Sequence, residues 1–157
     1  MNCPKPKLVV SGRQTGVDRA ALDWAIEMGI TQGGWYPRGR TAQHGPLADH
    51  YELKETPSFG YSQSTRLNLN DSDAALIIHR GMLEGSSRLS QRFTRHMQKP
   101  IELIRLNENW HPQIDRFHQR WIALNAFSLN VTGPSEERSL GIYELSMTLM
   151  EQIWKSQ

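Results

Sequence analysis

The chain has 157 residues, 38% of them hydrophobic and 22% charged, enough for one domain with its own core and no need of a disulfide or metal to hold it. A formal net charge of +2 is too small to argue for nucleic-acid binding. The single cysteine, Cys3, excludes an internal disulfide. No apolar run nears the ~20 residues of a membrane span, and "MNCPKPKLVV" carries no signal-peptide pattern. The expectation is a cytoplasmic protein, one domain over residues 1–157, with neither a membrane nor a nucleic-acid partner.

Apolar runs alternate with helical patterns along the chain. "KLVV" reads as a buried strand ending near Ser11. After it Val17, Ala20, Ala21, Trp24, Ala25 and Met28 recur at spacings of three and four, one face of a helix that Gly29 ends. "GGWYP" predicts a short second strand stopped by Pro37. Residues 38–57 show no period and read as a long excursion. A short helix is expected over Gln63–Asn70, and "AALIIH", Ala74–His79, is the clearest buried strand. "GMLEGSS" follows as a loop, then a helix from Arg88 to Met97 ended by Lys99-Pro100. "IELIRL" is the next strand, Pro112–Asn125 a helix with proline in its first turn, and "FSLNV" the last strand. "TGPSEERSLG" forms a loop before a final amphipathic helix, Ile142–Trp154.

This alternation predicts an α/β, three-layer Rossmann-like sandwich with a mostly parallel sheet of about five main strands. Parallel strands are covered on both faces, which explains why "LVV" and "AALII" are continuously apolar. Ligands in such sheets sit beyond the C-terminal strand ends, near the place where strand order reverses. That rule nominates the loops Gly12–Gly16, Gly81–Ser87 and Thr132–Ser139.

The first loop, "SGRQTGVD", is neither GxxxxGK[ST] nor GxGxxG, so classical phosphate-loop chemistry is unsupported. It is still a strand, a glycine loop and a helix N-terminus, whose unpaired N–H groups and partial positive charge attract anions. Arg13 adds a planar donor fork suited to phosphate. The alternative is purely local: Thr15-x-x-Asp18 matches a capping box, with Gly12 and Gly16 permitting the turn. On spacing alone the two readings are balanced.

Four segments in order, "SGRQTGVDRAALDWAIEMG", "GGWYPRGR", "STRLNLNDSDAALII" and "NVTGP…GIYE", resemble the putative molybdenum carrier family. That family lies within a Rossmann-like superfamily that includes the lysine-decarboxylase-like, cytokinin-releasing proteins. The resemblance runs from Leu8 to Glu144. It implies a nucleotide-binding-like fold and a phosphate-bearing ligand at the C-terminal strand ends. The molybdenum cofactor, a pterin with a phosphate and a dithiolene, is the implied cargo. Two departures stand out: Arg13 replaces a second glycine, and "EGSSRLS" keeps only Gly85 of a GGT-like run, with Ser86, Ser87 and Arg88 beside it.

The candidate ligand-binding set is therefore Gly12, Arg13, Gln14, Thr15, Gly16, Asp18, Arg38, Arg66, Asn68, Asp73, Gly81, Gly85, Ser86, Ser87, Gly133 and Ser135. For Arg38, with Arg40, the other reading is a solvated surface arginine; for Asp73 it is a capping residue. His79, at a strand end, either faces the pocket or simply packs. Trp24, Trp121 and Trp154 fit core helix faces. The histidines show no HxxxH or HExxH spacing and no CxxC exists, so no protein-ligated metal is expected. The expected function is binding of a phosphate-bearing nucleotide-like small molecule, as a molybdenum cofactor carrier or storage protein. A nucleotide monophosphate N-glycosidic hydrolase and a nucleotide sensor are the alternatives, although no catalytic set or PGGxGTxxE run is present. The expected partners are the phosphorylated ligand and further copies of the chain in a homo-oligomer.

Overall fold

The computed structural model describes residues 3–12, 15–39 and 51–155. Six strands form one parallel sheet: β1 (Leu8–Val10), β2 (Thr31–Tyr36), β3 (Leu53–Glu55), β4 (Ala74–His79), β5 (Ile101–Arg105) and β6 (Ser128–Thr132). Five helices occur among the described residues: α1 (Gly16–Glu27), α2 (Tyr61–Asn70), α3 (Gly85–Met97), α4 (Trp110–Leu124) and α5 (Ile142–Ile153). The strand order is β3-β2-β1-β6-β4-β5. The architecture is the expected Rossmann-like sandwich, with one strand more than the sequence suggested. That strand, β3, lies within the segment read as a loop. It is three residues long and half-exposed at a sheet edge, so it leaves no apolar run to read.

One layer, made by α1, α4 and α5, covers a large apolar core. Val9, Leu76, Ile78, Leu129 and Val131 point from alternate strand positions against Val17, Ala20, Ala21, Trp24, Ile114, Phe117, Trp121, Leu149 and Met150. Trp24 and Trp154 stack with centroids 4.7 Å apart, and Phe117 meets Trp154 edge-on at 5.6 Å, which joins the three helices at one point.

The other layer is different in kind. The buried positions of α2 and α3 are Ser64, Thr65, Asn68, Leu69, Ser86, Ser87, Ser90 and Thr94, small and mostly polar. Some of these groups are satisfied locally: Ser64 Oγ donates to Tyr61 O and Thr94 Oγ1 to Gln91 O, and just past the end of α2 Ser72 Oγ donates to Asn68 O. Asn130, in the middle of β6, donates to Val10 O at 2.9 Å. One face of the sheet is thus a hydrophobic core and the other a hydrogen-bonded one.

Candidate functional site

The helices that follow β6 and β1 lie on one face, and the helix that follows β4 lies on the other. The loops therefore diverge between β6 and β4, which opens a crevice at the C-terminal edge of the sheet. The three loops nominated by sequence all arrive there.

Asp18 organises them. Its Oδ2 accepts from Gly12 N at 3.2 Å, and its Oδ1 accepts from Thr132 Oγ1 at 3.1 Å and from Gly133 N at 3.3 Å. The side chain is 4% exposed. The capping-box bonds are replaced by this longer-range tie. Thr15 is the N-cap of α1 but makes no cap bond with its side chain, its Oγ1 donating to Glu137 Oε2 and accepting from Glu136 N. Gly16 opens α1 against the same loop, where Val17 N donates to Pro134 O.

Two glycines are fixed by close approach. A Cβ on Gly12 would stand 1.9 Å from Trp35 O, and one on Gly133 would stand 2.1 Å from Ile78 O. Asn68 completes the Gly12 side. Beyond the end of β1 it acts as a strand partner for Trp35, accepting its N–H at 2.7 Å and donating to its carbonyl at 3.0 Å.

Two connected hollows result. A narrow slot of about 20 Å³ is lined by Gly12, Asp18, Trp35, Ser64, Thr65, Asn68, Ser86, Ser90, Asn130 and Thr132. It holds about one water-sized group. Ser86 also lines a wider cleft of about 220 Å³, between the loop Arg80–Ser87 and the loop Pro134–Ser139. The starts of α2 and α3 line these hollows through Tyr61, Ser64, Gly85, Ser86 and Ser87, and the first turn of α1 reaches the slot through Asp18. None of the three is capped by the side chain of its N-cap residue, Thr15, Gly60 or Glu84. A larger apolar groove of about 340 Å³ lies elsewhere, bordered by Ile101, Phe117, Trp121 and Leu129, but it lacks converging polar groups.

The cleft is rich in donors. Arg80 donates from Nε and Nη2 to Ser139 Oγ, at 3.0 and 2.7 Å, and from Nη2 to Leu140 O at 2.5 Å. Arg138 stands 3.7 Å from Glu84, a loose exposed pair of little energetic weight. His79 closes β4 and is 1% exposed. Its Nδ1 lies 2.9 Å from Gly81 O, and because a carbonyl only accepts, Nδ1 carries the proton. Burial holds this imidazole below the usual histidine range, against the opposing pull of the Gly81 carbonyl.

Of the sequence candidates, Gly12, Asp18, Asn68, Gly85, Ser86 and Ser87 line the hollows, and Gly81, Gly133, Thr15, Gly16 and Ser135 belong to the loops that frame them. Arg13, Gln14 and Arg40 lie outside the described residues. Arg38 is exposed over the Phe59 ring at 5.1 Å, and Arg66 is exposed over Phe93 at 4.9 Å; their chain neighbours Pro37 and Thr65 line the slot. Asp73 is at the opposite end of the sheet, before β4, where its Oδ2 accepts from Phe127 N at 2.9 Å and Ser128 N at 3.1 Å. The capping reading describes it.

The sequence candidates did not include Arg80, Ser64, Ser90 or Asn130, and within the nominated loop Thr132–Ser139 they did not single out Thr132, Arg138 or Ser139. Asn130 carried a readable signal, a polar amide inside a buried strand. Arg80, Arg138 and Ser139 did not, since arginines and serines in loops are ordinary surface residues until topology brings the loops together, and small polar residues on helices, such as Ser64 and Ser90, are equally ordinary.

Among the described residues no group of three or more His, Cys, Asp or Glu side chains could hold a metal ion, and no helix is long and apolar enough to cross a membrane. No curated protein matches the chain. The crystal structure of a putative molybdenum carrier protein from Syntrophus aciditrophicus SB is similar to it at a TM-score of 0.89 and 36% identity, covering 98% of this chain and 97% of that one. Over residues 9–154 the sequence also matches the model of a circularly permutated family. The chain belongs to the circularly permutated YpsA SLOG family.

Proposed function

We propose that the protein carries a phosphate-bearing, nucleotide-like small molecule in the crevice at the C-terminal edge of its sheet, with the molybdenum cofactor as cargo. One observation carries this reading: three helix starts without side-chain caps converge on one polar crevice that also presents two guanidinium groups. Helix starts and arginines both favour anions. Among phosphorylated heterocycles, the similarity to a putative molybdenum carrier protein supports this cargo. In this reading the phosphate meets the first turn of α3, at Gly85, Ser86 and Ser87, and the ring system extends from the cleft. The volume of about 220 Å³ suits a phosphate and part of a ring rather than a whole enclosed cofactor, so the cargo stays partly open to a receiving protein.

The test is a melting-temperature comparison of the protein alone, with molybdenum cofactor and with AMP. A ligand at 100 times its Kd adds about 2.7 kcal/mol, a rise of about 5–10 °C for a chain of this size. A rise with the cofactor supports carriage. A rise with AMP alone would reassign the cargo to a nucleotide, and no rise with either would end the binder reading.

A further inference from the structure

The cleft contains one group that its anion-binding character does not use. His79 Nε2 is buried and has no hydrogen-bond partner. Since Nδ1 holds the proton, Nε2 presents a lone pair. His79 shares the lining of the cleft with donors, the guanidinium groups of Arg80 and Arg138 and the first residues of α3, and with one carboxylate, Glu84. A bare lone pair facing a deprotonated oxyanion repels it. A single proton between the two turns the repulsion into a charge-assisted hydrogen bond.

We propose that His79 is a specificity-determining residue of this cleft, sharing one proton between its Nε2 and an oxygen of the bound phosphate, so that the anion enters together with one proton. The inference rests on the phosphate-binding reading and adds a proton count to it. The proton comes from solvent when both the ligand and the imidazole are deprotonated beforehand, and it returns to solvent on release. No other bond is made or broken.

The surroundings fit a group that stays neutral until the anion arrives. Burial disfavours the imidazolium, as does Arg105 on β5, whereas Glu108 in the following loop favours it. The remaining charged neighbours are Arg80 on the same strand end, Glu84 in the loop after it, and Arg138 across the cleft. An arriving phosphate brings the negative charge that tips the balance towards protonation. Nε2 is buried, so in this proposal the cleft wall shifts locally as the bond forms, the Gly81–Glu84 segment being the part of that wall next to His79 in sequence. Met82 in that segment is 82% exposed and holds it by little packing.

Calorimetry of AMP binding to the full chain tests this, run from pH 6 to 8 in buffers of different ionisation enthalpy. A phosphate monoester has its second pKa near 6, so at pH 7.5 AMP arrives mostly as the dianion. The expected result is uptake of close to one proton per AMP at pH 7.5, with Kd rising up to tenfold per pH unit above about 7. His79→Gln offers an amide N–H to the dianion instead. It should bind AMP at pH 8 within a few-fold of wild type, with no proton uptake and a flat pH profile. The ¹⁵N shifts of the wild-type His79 ring should move from the neutral Nδ1–H form to the imidazolium on adding AMP, a reading that does not depend on the variant folding. AMP binding without proton uptake, or His79→Gln taking up the same proton, would overturn this role and leave the carrier reading intact. Failure of AMP and inorganic phosphate to bind at any pH would overturn this role, and failure of the molybdenum cofactor as well would overturn the carrier reading with it.

Discussion

At the scale of single residues, Asp18 holds the site's geometry. Its two oxygens serve three donors from the ends of β1 and β6, which are over a hundred residues apart in sequence. An amide in its place keeps one acceptor and turns an N–H₂ towards groups that also donate, leaving buried donors unpaired. Asp18→Asn should lower stability by about 2–3 kcal/mol, measured by urea unfolding. A loss below about 0.5 kcal/mol would mean that the loops are held by something else. Gly12 and Gly133 belong to the same device, because a methyl group at either would collide with a neighbouring backbone carbonyl.

At the scale of elements, β4 and β6 are latched at both ends by different chemistry. At the C-terminal end lies the crevice. At the N-terminal end Asp73 accepts from Phe127 N and Ser128 N, and these bonds, with the nearby Lys99 charge, hold its carboxyl below the usual carboxylate range. A lowered folded-state pKa stabilises above the unfolded value, near 3.9, and that contribution disappears as pH falls through the folded value. The stability difference between wild type and Asp73→Asn should therefore be present at pH 7 and close below about pH 4. A difference independent of pH would assign the role of Asp73 to shape rather than charge. Because Asp73 is exposed, the effect should also shrink in high salt.

At the scale of the whole molecule, the last strand in the chain occupies the centre of the sheet. β6 sits between β1 and β4, so the sheet cannot close until residue 132 is in place. If β6 were counted first, the order would become 4-3-2-1-5-6, the regular doubly wound pattern with one reversal. The two ends of the described chain are also near each other, since Pro4 O accepts from both Trp121 Nε1 and Trp154 Nε1. A permutant that opens between Asn125 and Ala126 and links residue 155 to residue 3 should thus fold cooperatively to the same structure, by far-UV circular dichroism and a single thermal transition. A non-cooperative melt would mean that the order of synthesis matters to the fold.

The alternation of strands and helices is legible in the residue pattern, because buried parallel strands leave continuous apolar runs such as "AALII" and amphipathic helices leave a period near 3.6. The same pattern shows which loops follow strand ends, since Gly12, Gly81, Gly85 and Gly133 punctuate them. Strand order was left to the tertiary structure, because every parallel strand looks alike to a local pattern. So were the edge strand β3, too short to show a period, and the sorting of candidates. Arg66 and Asp73 differ from Ser86 and Asn68 only in which side of an element or end of the sheet they occupy. His79 shows the distinction most clearly. As a residue at a strand end it has two ordinary explanations. Only the folded chain fixes its tautomer through Gly81, buries its other nitrogen and brings the residue into a cleft that Arg80 and Arg138 also line.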